Sequence, residues 1–297
     1  MNNNEKQLEI KDTMYEAGLV LEGGGMRGLY TAGVLDFFID KGIYFRNCYG
    51  VSAGATQCCS YLSKQKGRAY RIFTKYMNDK RYASVSNLLK EGNYFGKDFS
   101  LKMIPDKLEP FDHDTFINCG ANFYAVASNC KTGEAAYLKV QDTRKDMEMD
   151  KIWASCSLPL LSKNVHIDGE EYLDGGVADS IPVVKAMRDG NKKVVIILTR
   201  DSSYRKKPNK LMPIIKLKYR EYPKLVELME KRHRIYNKTI KRIEKFEKEG
   251  RIFVIRPKNA VEIGRLEKDV NKMKALYNAG YKEAEECFHE LMKYLNK

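Results

Sequence analysis

Histidine is scarce in this chain of 297 residues: there are four, His113, His166, His233 and His289. None stands in an H-E-x-x-H pattern or at another metal-ligand spacing, so no metal site and no cofactor is expected. The seven cysteines form an odd set without a C-x-x-C pair, which argues against a zinc ribbon or a thioredoxin-like redox motif. They read as reduced, mostly structural thiols. No run of 18 or more apolar residues is present, so no spanning helix is expected. Residues 1 to 6 are polar, contain an acid and lead into no apolar segment, unlike a secretory leader. These absences point to a cytoplasmic protein and leave open a peripheral position at the inner membrane surface. Acids are short in one place: residues 201–297 carry 26 Lys+Arg against 14 Asp+Glu, so that third holds most of the net charge of +14.

Glycine, by contrast, is concentrated where it can do chemistry. Gly18-Leu19-Val20-Leu21-Glu22 reads as a strand, Gly23-Gly24-Gly25-Met26-Arg27-Gly28 as a loop, and Leu29 to Asp40 as a helix. A second strand from Ile43 runs into Gly50-Val51-Ser52-Ala53-Gly54, followed by a helix over Ala53 to Leu62. That pentapeptide fits G-x-S-x-G, the turn that lifts a serine hydroxyl above the end of a sheet. Such a turn needs small neighbours, since the serine backbone occupies a sparse conformation costing roughly 1–3 kcal/mol. Gly50, Ala53 and Gly54 supply the room.

The first loop also fits G-x-G-x-x-G, the dinucleotide-binding pattern, which requires an acid at the end of the second strand. That strand ends in Cys48-Tyr49-Gly50-Val51 and has no acid. In serine chemistry the same loop has a use: consecutive glycines beside a helix start expose amides where a tetrahedral oxyanion can sit. Gly23, Gly24 and Gly25 are the candidate donors, and Arg27 either adds a fixed positive charge there or caps and salt-bridges its helix.

The G-G-G-x-R-G loop, the G-x-S-x-G elbow, Ala154-Ser155-Cys156-Ser157-Leu158-Pro159 and Leu173-Asp174-Gly175-Gly176 occur in that order between Gly18 and about Pro182. In this the chain resembles the bacterial patatin-like phospholipases. The resemblance implies a serine acyl hydrolase that cleaves carboxylic esters of lipids, of phospholipase A or lysophospholipase type, with a Ser52–Asp174 dyad and a glycine-loop oxyanion hole.

The histidines fit that arrangement better than a triad. His113 lies outside any elbow-like turn, and His233 and His289 lie on predicted helices. His166 is on the opposite hairpin strand from Asp174, where packing explains it as well as chemistry does. The dyad sets a physical condition: a free Asp at about pKa 3.9 is too acidic to be a good base at neutral pH, so burial has to raise it. The flanking Leu173 and Gly175-Gly176 offer no cation to oppose that. Ser155 and Ser157 read as helix-end hydroxyls.

Elsewhere, residues 68 to 107 mix a helical face with aromatic and glycine positions and form either a lid or a wall over the serine. Strands are expected at 121–127, 135–138, 164–167 and 171–173, the last two joined by an Asp168-Gly169 turn. A helix over 145–155, one opened by Pro182, a buried strand at 193–198, a long helix from Tyr222 with an apolar stripe, a strand at 252–255 and two terminal helices separated at Gly280 complete the chain. Strands alternating with helices imply an α/β fold, a three-layer α/β/α sandwich with a helical basic C-terminal region. The division expected is a polar lead-in over 1–15, a core over 16–200, and a basic, mainly helical region with one strand over 201–297, packed on or completing the core.

Leu211-Met212-Pro213-Ile214-Ile215-Lys216-Leu217-Lys218, preceded by Arg205-Lys206-Lys207, interleaves apolar and cationic side chains. It reads as a peripheral contact with an anionic membrane or, equally, as solvated helix faces. No helix-turn-helix, zinc finger or R-G-F-type motif accompanies the basic third, so nucleic acid is not expected as a partner. The alternative function is a non-catalytic lipid- or nucleic-acid-binding relative that uses the basic C-terminal region. Oligomeric state is not legible.

Overall fold

The computed structural model describes residues 11–297. The chain builds β1 (Thr13–Leu21), α1 (Leu29–Asp40), β2 (Ile43–Val51), α2 (Ala53–Leu62), α3 (Arg68–Tyr76), α4 (Val85–Glu91), α5 (His113–Ile117), β3 (Asn122–Asn129), β4 (Ala135–Val140) and α6 (Asp146–Cys156). It continues through β5 (Val165–Ile167), β6 (Glu170–Asp174), α7 (Val183–Arg188), β7 (Val194–Ile197), α8 (Met212–Lys218), α9 (Pro223–Lys248), β8 (Ile252–Ile255), α10 (Val270–Glu286) and α11 (Phe288–Asn296). The expected lead-in lies mostly outside the described residues, but β1 already begins at Thr13, whose register partner on β2 is Ile43.

Eight strands form one sheet in the order β5-β6-β3-β2-β1-β7-β8, with β4 paired to β3. The pairs β2/β3, β1/β2, β1/β7 and β7/β8 are parallel, whereas β4, β5 and β6 join antiparallel. Alternation along β1 fixes the layers. Leu19 and Leu21 pack with Tyr30, Phe37 and Phe38 of α1 and with Leu291 of α11 on one face. Val20 packs with Val183 of α7 and Tyr236, Ile240 and Ile243 of α9 on the other. The result is a three-layer α/β/α sandwich, and β8, from the basic third, is an edge strand of the same sheet.

Gly280 does not separate the terminal helices. It lies inside α10, and the break falls at Cys287. A Cβ at Gly280 would meet the Tyr30 carbonyl oxygen at 2.0 Å, and one at Gly33 would meet the Tyr277 carbonyl oxygen at 2.1 Å. The two glycines let α1 and α10 cross with their backbones in contact, a packing reason for glycine that a reading of local punctuation takes for a helix end.

Among the described residues no helix is long and apolar enough to cross a membrane.

Candidate active site

β2 ends in the bulk-free turn that the G-x-S-x-G pattern requires. Ser52 has φ 55° and ψ −125°, a left-handed conformation for a residue that is not glycine. A Cβ at Gly50 would strike Ala55 Cα at 2.6 Å, and one at Gly54 would strike the Leu21 carbonyl oxygen at 2.7 Å. These two glycines therefore lie beneath the turn and leave the serine above it. The Ser52 N–H donates to Ser155 Oγ at 2.9 Å, so the buried Ser155 holds the strained turn in place instead of acting as a helix-end hydroxyl. Ser157 does take the expected role, donating to the Trp153 carbonyl at 2.8 Å.

Strand register brings the acid to the serine. On one edge of β3, Val51 pairs with Val126, and the next residue, Ala127, pairs with Asp174 of β6. β6 thus takes over the edge of β3 where β2 leaves it for the elbow. Gly175 permits the approach, since a Cβ there would lie 2.0 Å from the Val126 carbonyl oxygen. Asp174, whose N–H donates to the Ser157 carbonyl at 2.8 Å, is 3% exposed.

The Asp174 carboxyl is pushed above the usual carboxylate range by burial, opposed by the Ser52 hydroxyl, the charge of Arg232, the Gly176 amide and Arg265. Oδ1 accepts from the Gly176 N–H at 2.7 Å, while Oδ2 is buried with no hydrogen-bond partner of ordinary geometry. Ser52 therefore faces the carboxylate without closing a full hydrogen bond, as is common before substrate binds. The flanking residues bring no cation, but Arg232 does, arriving from α9 nearly 60 residues downstream.

The glycine loop lies against the elbow. A Cβ at Gly23 would sit 3.0 Å from Ser52 Cβ, and Gly25, at φ 58°, lies under the backbone of Arg265. The Met26 N–H is occupied by the Arg265 carbonyl at 3.1 Å, but the N–H groups of Gly23, Gly24 and Gly25 donate to nothing among the described residues. Arg27 is 7% exposed, its Nε has no partner, and it forms no ion pair among the described residues, so the salt-bridge reading does not hold. Burial and repulsion from Arg200 and Arg265 push it down to about 10. Gly23, Gly24, Gly25, Arg27, Ser52 and Asp174 all line one small cavity.

Two larger spaces open from it. On one side is an apolar cavity of about 160 Å³, lined by Met26, Ile72, Phe73, Phe95, Ile104 and Trp153 and reaching Ser52. Residues 68 to 107 thus supply part of its lining. On the other is a groove of about 680 Å³ that includes Asp174, Lys206, Arg232 and Arg265. His233 alone of the histidines reaches any of these spaces, on the groove side, and none lines the two that contain Ser52.

The cations of the groove are what sequence reasoning missed. Lys206 is pushed down to about 7 by burial and by Arg232, Arg265 and Arg27. Arg232 is held at about 10, chiefly by burial and Arg265. The one signal for Arg232 was a gap: Leu225, Met229, Tyr236, Ile240 and Ile243 form the buried stripe of α9, and position 232 continues its spacing with a charge.

A patatin-like phospholipase family profile matches residues 19–187, more than half of the chain. The chain belongs to that family. A second profile, a domain of unknown function, DUF6363, matches residues 222–296. The uncharacterized protein YjjU of Escherichia coli K12 is 33% identical over 186 residues, covering 61% of this chain and 51% of YjjU. This family member thus spans about half the length of that relative. The probable lipid hydrolase 463L of Invertebrate iridescent virus 6 is 27% identical over 231 residues, 68% of this chain and 76% of the viral protein. Among solved structures, VipD from Legionella pneumophila aligns with a TM-score of 0.47 and 12% identity, over 95% of this chain and 67% of VipD.

Proposed function

We propose that the protein hydrolyses carboxylic esters of lipids, with Ser52 as nucleophile and Asp174 as its base. The observation that carries this reading is the buried Asp174 carboxylate, one oxygen unpartnered, facing a serine held in a strained turn at the mouth of an apolar cavity. Family membership and the name of the viral relative support lipid as the substrate class.

In this reading the acyl chain lies in the apolar cavity and its ester carbonyl reaches Ser52. Asp174 Oδ2 accepts the hydroxyl proton as Ser52 Oγ bonds to the carbonyl carbon. The resulting oxyanion is met by the free amides of Gly23, Gly24 and Gly25, with the positive field of Arg27 behind them. Asp174 returns the proton to the leaving alcohol as the ester C–O bond breaks and Ser52 is left acylated; water, deprotonated by the same carboxylate, then attacks the acyl carbon, and the proton passes back to Ser52 Oγ as the fatty acid leaves. Burial gives Asp174 the basicity an exposed Asp lacks.

The reading extends to a peripheral membrane contact through α8. Leu211, Ile214 and Leu217 are 49%, 54% and 73% exposed beside Lys210, Lys216 and Lys218, while Ile215 anchors the helix. Incubation with defined lipids and mass spectrometry of released fatty acids tests the activity. Release by the wild type, lost in both Ser52→Ala and Asp174→Asn, is the expected result, and equal release by all three overturns the assignment.

A further inference from the structure

Five cations, Arg27, Arg200, Lys206, Arg232 and Arg265, line the cavity that contains Ser52 and Asp174. Only two acids line it, and one of them is already satisfied: Glu22 accepts from the Tyr236 hydroxyl at 2.7 Å, from the Thr199 amide at 2.7 Å and from Thr199 Oγ1 at 3.1 Å. None of the five cations is in an ion pair among the described residues, although the surface of the same molecule is laced with Lys/Arg–Asp/Glu pairs. Clustered cations without partners repel one another, and a fold tolerates them where a ligand supplies the missing charge.

Three of them are also held in position. Arg200 donates to the Val261 carbonyl at 2.8 Å and stacks over Tyr204 at 4.5 Å. Arg232 Nε is fixed on the Gly176 carbonyl, and the residue lines the cavity. Lys206 is paired through its backbone with the Asn237 side chain and lies 4.4 Å from the Tyr236 ring centroid. A loose basic surface has none of these restraints.

We propose that this cavity is a subsite for a phosphate monoester. Resting on the hydrolase reading, it makes the preferred substrate an acyl ester whose polar end terminates in phosphate close to the ester, such as a mono- or diacylglycerol phosphate. Five cationic against two acidic groups leave a surplus of positive charge for a dianion to meet, and three terminal oxygens suit several fork-shaped donors at once. A phosphocholine head would bring its own cation into the same cluster. Ser52 and Arg265 line both this cavity and the apolar one, so the chain and the phosphate of one molecule can be received in adjoining spaces that meet at the nucleophile. Four of the five cations lie beyond residue 187, outside the span of the phospholipase profile.

The test compares kcat/KM for monoacylglycerol phosphate, the same lipid with a phosphocholine head, and monoacylglycerol, in mixed micelles of fixed neutral detergent. The phosphate monoester is expected to be favoured by at least about tenfold, the factor that one lost charge-assisted contact typically controls. That ratio should collapse in Arg232→Met and separately in Lys206→Met. Isothermal titration of Ser52→Ala with the same lipids and with inorganic phosphate reads binding without turnover. Equal kcat/KM for all three lipids in the wild type overturns the subsite while leaving the hydrolase reading intact. Binding of the phosphate lipid with no hydrolysis of any ester sinks the hydrolase reading and keeps the subsite. Tight binding of inorganic phosphate with no lipid preference overturns the substrate proposal in favour of a free anion.

Discussion

The Tyr236 hydroxyl donates to Glu22 Oε1 at 2.7 Å, joining residues 214 positions apart in the chain. Glu22 directly follows β1 beside the glycine loop, and Tyr236 lies one helical turn beyond Arg232 on α9. The bond therefore sets the register of the basic helix against the loop. Removing it in Tyr236→Phe leaves a buried carboxylate oxygen short of its donor, and urea unfolding is expected to show a loss of about 1–3 kcal/mol.

Asp174 allows a prediction that separates chemistry from stability. Its folded pKa is raised, so the neutral form is favoured by the fold: the associated stability is present below the unfolded pKa and lost as pH rises through the folded one. At neutral pH the ionised carboxylate is a liability. Asp174→Asn is expected to lower ester hydrolysis by about 10³-fold or more while raising Tm. A Tm that falls with the activity would mean that the residue is structural.

The same shift governs the pH profile. With Asp174 required as the base, the acidic limb of kcat/KM for a neutral p-nitrophenyl ester should lie above the range of an ordinary Asp. Arg232 opposes the rise through its charge. Arg232→Met should therefore move the limb to still higher pH, a direction that loss of a purely structural residue does not produce.

At the α1/α10 crossing, Gly280→Ala places a methyl group 2.0 Å from the Tyr30 carbonyl oxygen. The helices have to separate, at an expected cost of about 1–3 kcal/mol read by thermal or urea unfolding. Gly33→Ala should cost a similar amount, and the double variant less than the sum, because the first methyl already opens the crossing.

For α8, replacing Leu211, Ile214 and Leu217 together with serine should cut sedimentation with anionic vesicles by about tenfold or more, given the apolar area these side chains expose. Hydrolysis of a soluble short-chain ester should be retained. Unchanged vesicle binding would assign the exposed face of α8 to solvent.

Local signals carried much of this. α1 and α2 span the residues their periodicity implied, because each starts directly after a strand and a glycine-bearing turn. The Asp168–Gly169 hairpin adopts positive φ at both turn residues, as its composition demands. What stayed illegible came from contacts distant in sequence. Ser155 reaches the Ser52 amide across 103 positions, and Arg265 covers the glycine loop from the far end of the chain. No periodicity announces such meetings. Arg232 was half visible, as the charged member of an otherwise apolar stripe.

The place of β8 bears on how the protein can be divided. Its parallel pairing with Val194–Ile197 means that the final third contributes to the central sheet as well as to the cavity. A gene truncated after residue 200 would leave a row of backbone amides and carbonyls bare on a flat, wholly apolar strand, an invitation to stick to its own copies. Dissecting the protein by deletion is thus a poor route to its chemistry, and single side-chain changes are the better instrument.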